Sequence, residues 1–249
     1  MKITNNTILI TGGATGIGFS LAEAFVKQGN TVIICGRREN KLKEAKEKYP
    51  QLHTRVCDIS KQQERVDLIK WAFEHFESLN IIINNAGIQQ MLNFNSDIDS
   101  KQIENEIRTN FEAPVQIASL AISHLKIKIE PAIINVTSGL GFIPLSFVPV
   151  YCSTKAALHS FCLSLRHQLK NTSIKVFEII PPTVDTELDK GARDIRGQTD
   201  RGIKPEIVAE ETLKAILNDN FECVVGFAQN LITATRGENL QLVFNRMNP

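Results

Sequence analysis

Short apolar runs alternate with longer amphipathic stretches along this chain. TILIT (Thr7–Thr11) reads as a first strand, and a helical pattern follows over residues 16–28. TVIIC (31–35) is a second strand, followed by the charged helical stretch ENKLKEAKEKY. LHTRVC is a third, with a helix through QQERVDLIKWAFEHF, and LNIIIN (Leu79–Asn84) is a fourth. A long helical region covers residues 100–125, AIINVT (132–137) is a fifth strand, and a helix then runs to about Leu169. IKVFEII (174–180) is a sixth strand, and a helix over Pro205–Leu217 precedes a seventh, ECVVG. Strands that are apolar along their whole length are buried on both faces, and each is followed by a helix. That pattern predicts a predominantly parallel, seven-stranded sheet in a doubly wound α/β fold.

Bulk properties narrow the picture. No repeat, low-complexity tract or linker-like shift divides the chain, so residues 1–249 read as a single domain. The net charge of +1 gives no bulk attraction to nucleic acid or to an anionic membrane. The N-terminus MKITNNTILITGG lacks the apolar region of a secretory signal, and no apolar run reaches the length of a membrane span. Cys35, Cys57, Cys152, Cys162 and Cys223 are odd in number and scattered, which predicts free thiols in a reducing, cytoplasmic setting. The histidines lack metal-ligand spacing, and His159 and His167 read as ordinary polar residues of a helix face. The segment TELDKGARDIRGQTDRGIK, residues 186–204, is charged, carries three glycines and has no apolar stripe. A loop of that length suits a lid over a substrate.

The first strand runs into TGGATGIG, which opens the first helix. Glycines allow backbone conformations and approaches that a Cβ forbids, and a helix N-terminus presents free N–H groups to an anion. Gly12, Gly16 and Gly18, with Ile17 between the last two, therefore suit a pyrophosphate, the arrangement of a dinucleotide-binding Rossmann domain. The residue that reads the adenosine ribose falls about 20 positions later, after the second strand. An acidic side chain there would select NAD(H). This chain has Gly36 followed by Arg37 and Arg38, whose guanidinium groups suit a 2′-phosphate, so NADP(H) is expected over NAD(H). A solvated basic turn is the competing reading.

VPVYCSTKAALHSF places Tyr151 and Lys155 one helical turn apart. A free tyrosine, with a pKa of about 10, is a poor proton donor and acceptor near neutrality, and an adjacent ammonium favours its phenolate. Reduction of a carbonyl leaves an alkoxide that needs such a proton. Ser138, at the end of the fifth strand, is placed to bond the substrate oxygen. Taken singly, Tyr151 and Lys155 also fit a surface pair, Ser138 a capping serine and Asn110 a polar helix residue. Phe142 and Phe147 precede Tyr151 and fit either packing or an apolar pocket wall.

TGGATGIG, NNAG (84–87), Ser138 and the Tyr-x-x-x-Lys pair together resemble the short-chain dehydrogenase/reductases over nearly the whole chain. The resemblance implies a catalytic set of Ser138, Tyr151 and Lys155, with Asn110 of IRTNFEAP holding a water in a proton relay. It implies that Asp58 and Ile59 contact the adenine. Asn85, Ala86 and Gly87 would line the adenine ribose side, and Lys155 would bind ribose hydroxyls. Val184 and Thr186 of PPTVDT would bind the nicotinamide carboxamide. One departure stands out: Pro181-Pro182 replaces the usual Pro-Gly, and proline lacks an N–H. The implied activity is hydride transfer between NADP(H) and a carbonyl/secondary alcohol. The alternatives are a non-catalytic NADP(H)-binding redox sensor and a nucleotide-sugar epimerase. Residues 102–125 and 156–169 are apolar around much of their circumference, and relatives pair these helices, which implies a homodimer or homotetramer.

Overall fold

In the computed structural model, the described residues are 1–188, 197, 201–235 and 245–246. Seven parallel strands form one sheet in the order β3-β2-β1-β4-β5-β6-β7. They are β1 Thr7–Thr11, β2 Thr31–Gly36, β3 His53–Val56, β4 Leu79–Asn84, β5 Ala132–Val136, β6 Lys175–Ile180 and β7 Glu222–Val224. Eight α-helices are described: α1 Gly16–Lys27, α2 Glu39–Lys48, α3 Gln62–His75, α4 Ser100–Ile107, α5 Ala113–Leu125, α6 Pro149–Gln168, α7 Pro205–Leu217 and α8 Ala228–Thr235.

Alternation along each strand divides the core in two. Ile8, Ile10, Val32 and Ile34 pack with Phe25 of α1, Leu42 of α2 and Ile216 of α7 on one face. Leu9, Ile33, Ile82 and Ile133 pack with Leu68 of α3, Ile117 of α5 and Leu165 of α6 on the other. Each fully buried aliphatic side chain contributes about 1.5–3 kcal/mol of transfer free energy. Double coverage is why the central strands β1, β4 and β5 lack an apolar-polar alternation in sequence.

The long helical region over 100–125 contains a break: Arg108–Glu112 form a π-helical turn between α4 and α5. Two further elements were not anticipated, a short 3-10 turn at Gly139–Gly141 and the helix α8. Of the expected lid over 186–204, residues 189–196 and 198–200 lie outside the described residues. Among the described residues no helix is long and apolar enough to cross a membrane. The strand order reverses beside β1, between β2 and β4, and the crevice at the carboxyl ends of those strands is where ligands bind in such sheets.

Candidate active site

A cavity of about 990 Å³ opens beyond the carboxyl ends of the strands. Gly12, Gly16, Ile17, Arg37, Arg38, Asp58, Ile59, Asn85, Ala86 and Gly87 line it, as do Ser138, Tyr151, Lys155, Val184 and Thr186. Of the expected site residues, Gly18 and Asn110 stand behind this lining.

The glycines serve two purposes. A Cβ on Gly18 would lie 2.3 Å from the Gly12 carbonyl oxygen, and one on Gly12 would lie 2.9 Å from Ala86 Cα. These two let the first turn, the start of α1 and the segment after β4 close on one another. Gly36 differs, because a Cβ there would meet nothing within 4 Å. It keeps that end of the cavity open between the glycine-rich turn and Arg37. A dinucleotide therefore fits the residues present: a glycine-rich turn at a helix N-terminus, an open Gly36 and two guanidinium groups at the far end.

Several expected contact residues hold the frame together. Asn85 donates from Nδ2 to the carbonyls of Thr11 (3.0 Å) and Gly12 (3.2 Å), while Thr11 Oγ1 accepts from the Asn85 and Ala86 amides. Asp58 Oδ1 accepts from the Ser60 amide at 3.0 Å and hydroxyl at 2.8 Å. The neighbouring Ile59 carbonyl is held by the fully buried Arg65, which also pairs with Glu112 at 2.6 Å. Arg38 is the residue with competing partners. Its Nη1 pairs with Glu187 at 2.7 Å, and its Nη2 donates to Thr15 Oγ1 at 3.1 Å. The segment after β6 folds back against residues 201–203 through a Val184–Ile203 bridge, and Thr186 Cγ2 stands 3.0 Å from where a Gly16 Cβ would be. Pro182 lines the cavity without an N–H to offer, while the Pro181 carbonyl accepts from the Gly139 amide at 3.0 Å.

At the other end, β5 delivers Ser138 and α6 delivers Tyr151 and Lys155. The Lys155 ammonium lies 5.6 Å from the Tyr151 ring centroid. It donates to the Val136 carbonyl at 2.8 Å, and burial lowers its pKa to about 8. Ser138 lines the cavity, and its Oγ accepts from the Leu140 amide at 3.1 Å, a bond that uses a lone pair and not the O–H. The capping reading of Ser138 and the substrate-facing one therefore hold together.

Asn110 sits in the π-helical turn and is fully buried. Its Oδ1 accepts from the Ile88 amide at 2.8 Å, and its Nδ2 donates to the Ile88 carbonyl at 2.8 Å and to Thr154 Oγ1 at 3.2 Å. Thr154 in turn donates to the Tyr151 carbonyl at 2.7 Å. The side chain expected to hold a water thus locks the segment after β4 to the helix carrying Tyr151. Oδ1 also lies 3.4 Å, and Lys155 Nζ 3.7 Å, from where a Gly87 Cβ would be.

Other features lie beyond the sequence reading. His159 is not an ordinary surface residue: its Nδ1 bonds the fully buried Glu178 at 2.9 Å, which raises its pKa. Thr137 Oγ1 donates to the same carboxylate at 2.7 Å. Nothing local in the sequence joins a helix histidine to a strand glutamate 19 residues later. Phe142 packs against Ile180, Ala228 and Ile232, and Phe147 against Val148 and Cys152, so neither forms the cavity wall. Leu140, Leu145, Phe227 and Leu231 are among the apolar residues that do line it. All five cysteines are free and buried. Burial raises Cys152 to about 11 and Cys162 and Cys223 to about 12, so these three are weak nucleophiles.

This fold and this constellation define a class. The pattern of the family described as short chain dehydrogenase matches residues 6–196, and the chain belongs to that family of oxidoreductases. It is 46% identical over 249 residues to the uncharacterized oxidoreductase DltE of Bacillus subtilis (strain 168), covering 100% of this chain and 98% of that protein. A short chain dehydrogenase from Burkholderia cenocepacia J2315, solved in complex with NADP, superimposes with a TM-score of 0.85 at 22% identity, covering 99% of each chain. A Burkholderia phymatum short chain dehydrogenase/reductase in complex with NAD gives a TM-score of 0.88 at 18% identity, over 100% of this chain and 99% of that one.

Proposed function

We propose that this chain, taken as one domain over residues 1–249, is an NADP(H)-dependent oxidoreductase acting on a carbonyl/secondary alcohol. The observation that carries the reading is the convergence of Ser138, Tyr151 and Lys155 on one cavity whose far end is lined by Arg37 and Arg38. Solved relatives in complex with NADP and with NAD share the fold, so the choice between them rests on this chain's own residues. Gly36 and the arginines favour NADP(H).

Gly12, Gly16, Ile17 and Gly18 would hold the pyrophosphate. Asp58, Ile59, Asn85, Ala86 and Gly87 would hold the adenosine, and Val184 and Thr186 the carboxamide. The bound nicotinamide would supply or accept the hydride. Ser138 donates its O–H to the substrate oxygen and fixes its position. Tyr151 passes its phenolic proton to that oxygen as the carbonyl becomes an alcohol, and takes it back in the reverse direction. Lys155 favours the phenolate through its charge and reaches the ribose hydroxyls. Asn110 positions α6 through Thr154, and a water beside Gly87 would bridge Asn110 Oδ1 and Lys155 toward solvent.

Exposed Ile107 on α4 and Leu163 on α6 favour a homodimer or homotetramer built on these helices. Five free, buried thiols suit a cytoplasmic setting. The test is a panel of neutral and charged carbonyls and alcohols with both cofactors, followed at the nicotinamide absorbance. Turnover with NADPH exceeding that with NADH is the expected result. Tight cofactor binding with no turnover anywhere in the panel would favour a redox sensor instead.

A further inference from the structure

The reductase reading leaves the substrate unnamed, and the cavity narrows it. Four charged side chains of the described lining, Arg37, Arg38, Asp58 and Glu187, sit at the end formed by β2, β3 and the glycine-rich turn. The fifth, Lys155, is buried against the Val136 carbonyl. Near Ser138 and Tyr151 the lining includes four apolar side chains: Leu140 and Leu145 of the Tyr151 cluster, Leu231 beside Gly139, and Phe227 next to the buried Ala228; Ile88, Gln89, Thr109, Thr183 and Leu188 also line the cavity.

These walls are built into the fold. Leu140 and Leu145 pack on the cluster that contains Tyr151, Val148 and Cys152. Helix α8 seats on the 3-10 turn that follows Ser138. A Cβ on Gly139 would lie 2.8 Å from Leu231 Cδ1, so the glycine is what lets Leu231 approach. Ala228 and Ile232 of α8 are buried with Ile180 and anchor the helix. Phe227, immediately before this anchor, lines the cavity and is 62% exposed.

We propose that this end is an apolar subsite and that the carbonyl compound it takes is neutral, with an alkyl or aryl arm lying against Leu140, Leu145, Phe227 and Leu231. The word carbonyl rests on the reductase reading, whereas the apolar arm rests on the walls alone. A carboxylate or phosphate on that arm would lose its hydration against four side chains that carry no charge. A polyol would leave hydroxyls facing leucines. A methylene chain would bury apolar surface against all four side chains.

Primary carboxamides are neutral, resist reduction and present a carbonyl oxygen to Ser138 and Tyr151. Calorimetry of butyramide, hexanamide and octanamide with the NADPH-saturated protein should show affinity rising about fourfold per added methylene, the equivalent of about 0.8 kcal/mol. An ω-carboxylate analogue of octanamide should bind at least about tenfold more weakly. Phe227→Ala, at an exposed position, should weaken octanamide roughly fivefold and leave NADPH affinity unchanged. Affinity independent of chain length, or tighter binding of the carboxylate, overturns the proposal. Turnover of 2-octanone separates the two readings. Length-dependent amide binding without ketone reduction upholds the subsite and removes the reductase. Reduction that favours 2-oxo acids or aldoses over 2-octanone does the opposite.

Discussion

Lys155 carries a charge into the core, and that has a consequence for stability. Its pKa falls from an ordinary 10.5 to about 8 because burial disfavours the ammonium. Between those values the unfolded chain binds more protons than the folded one, so stability rises with pH across that window. Below about pH 8 the full cost of burying the ammonium is present. Lys155→Met should therefore raise the melting temperature at pH 7, by an amount reflecting a few kcal/mol at most. The gain should shrink as the pH climbs through 8 toward 10.5. Thermal unfolding of both proteins at pH 7 and pH 10 checks this, and a pH-independent difference would assign the effect to packing. The Tyr151–Lys155 pair was legible because both residues lie on one helix, where spacing sets proximity. His159 with Glu178 was not, because that contact joins a helix to a strand and depends on how α6 packs on β6.

At the level of elements, the strands were readable to within two residues, the central ones because buried parallel strands are apolar from end to end; the edge strand β3 is mostly exposed. The π-helical turn was not readable, since one extra residue per turn within residues 108–112 leaves a helical composition unchanged. It nevertheless aims Asn110 at Ile88 and Thr154. Helix α8 escaped notice because AQNLITAT is short, uncharged and partly β-branched, so its helicity comes from packing on Gly139 and Ile180. The segment after β6 meets the turn after β2 through Arg38 and Glu187, each about half exposed. Such an exposed pair contributes about 0–1 kcal/mol, and a 2′-phosphate would have to share Arg38 with it. Glu187→Gln should consequently strengthen NADPH binding, by up to about fivefold, with little effect on NADH. Arg37→Ala should weaken NADPH far more than NADH. Fluorescence titration with both cofactors reads both, and a protein that binds NADH more tightly than NADPH contradicts the reading of this turn.

For the molecule as a whole, the parallel sheet and its two-sided coverage followed from the alternation of elements, while the apolar walls of the cavity did not. Those walls come from segments far apart in sequence, at residues 140–145 and 227–231, brought together by the sheet order. The helices α4, α5 and α6 lie together on one side of the molecule, and Ile107 and Leu163 remain exposed there. Sedimentation at micromolar protein should give a dimer or tetramer, and Leu163→Glu should shift it toward monomer. A parent protein that sediments as a monomer removes the proposed interface. Tyr151 is proposed to move the proton in a hydride-transfer reaction, and kinetics of the parent and of Tyr151→Phe on a carbonyl substrate the parent reduces test that role. Loss of one hydroxyl should leave folding and NADPH affinity intact and lower kcat by at least roughly 10²–10⁴. Turnover near the parent rate with cofactor still bound would rule out Tyr151 as the proton donor.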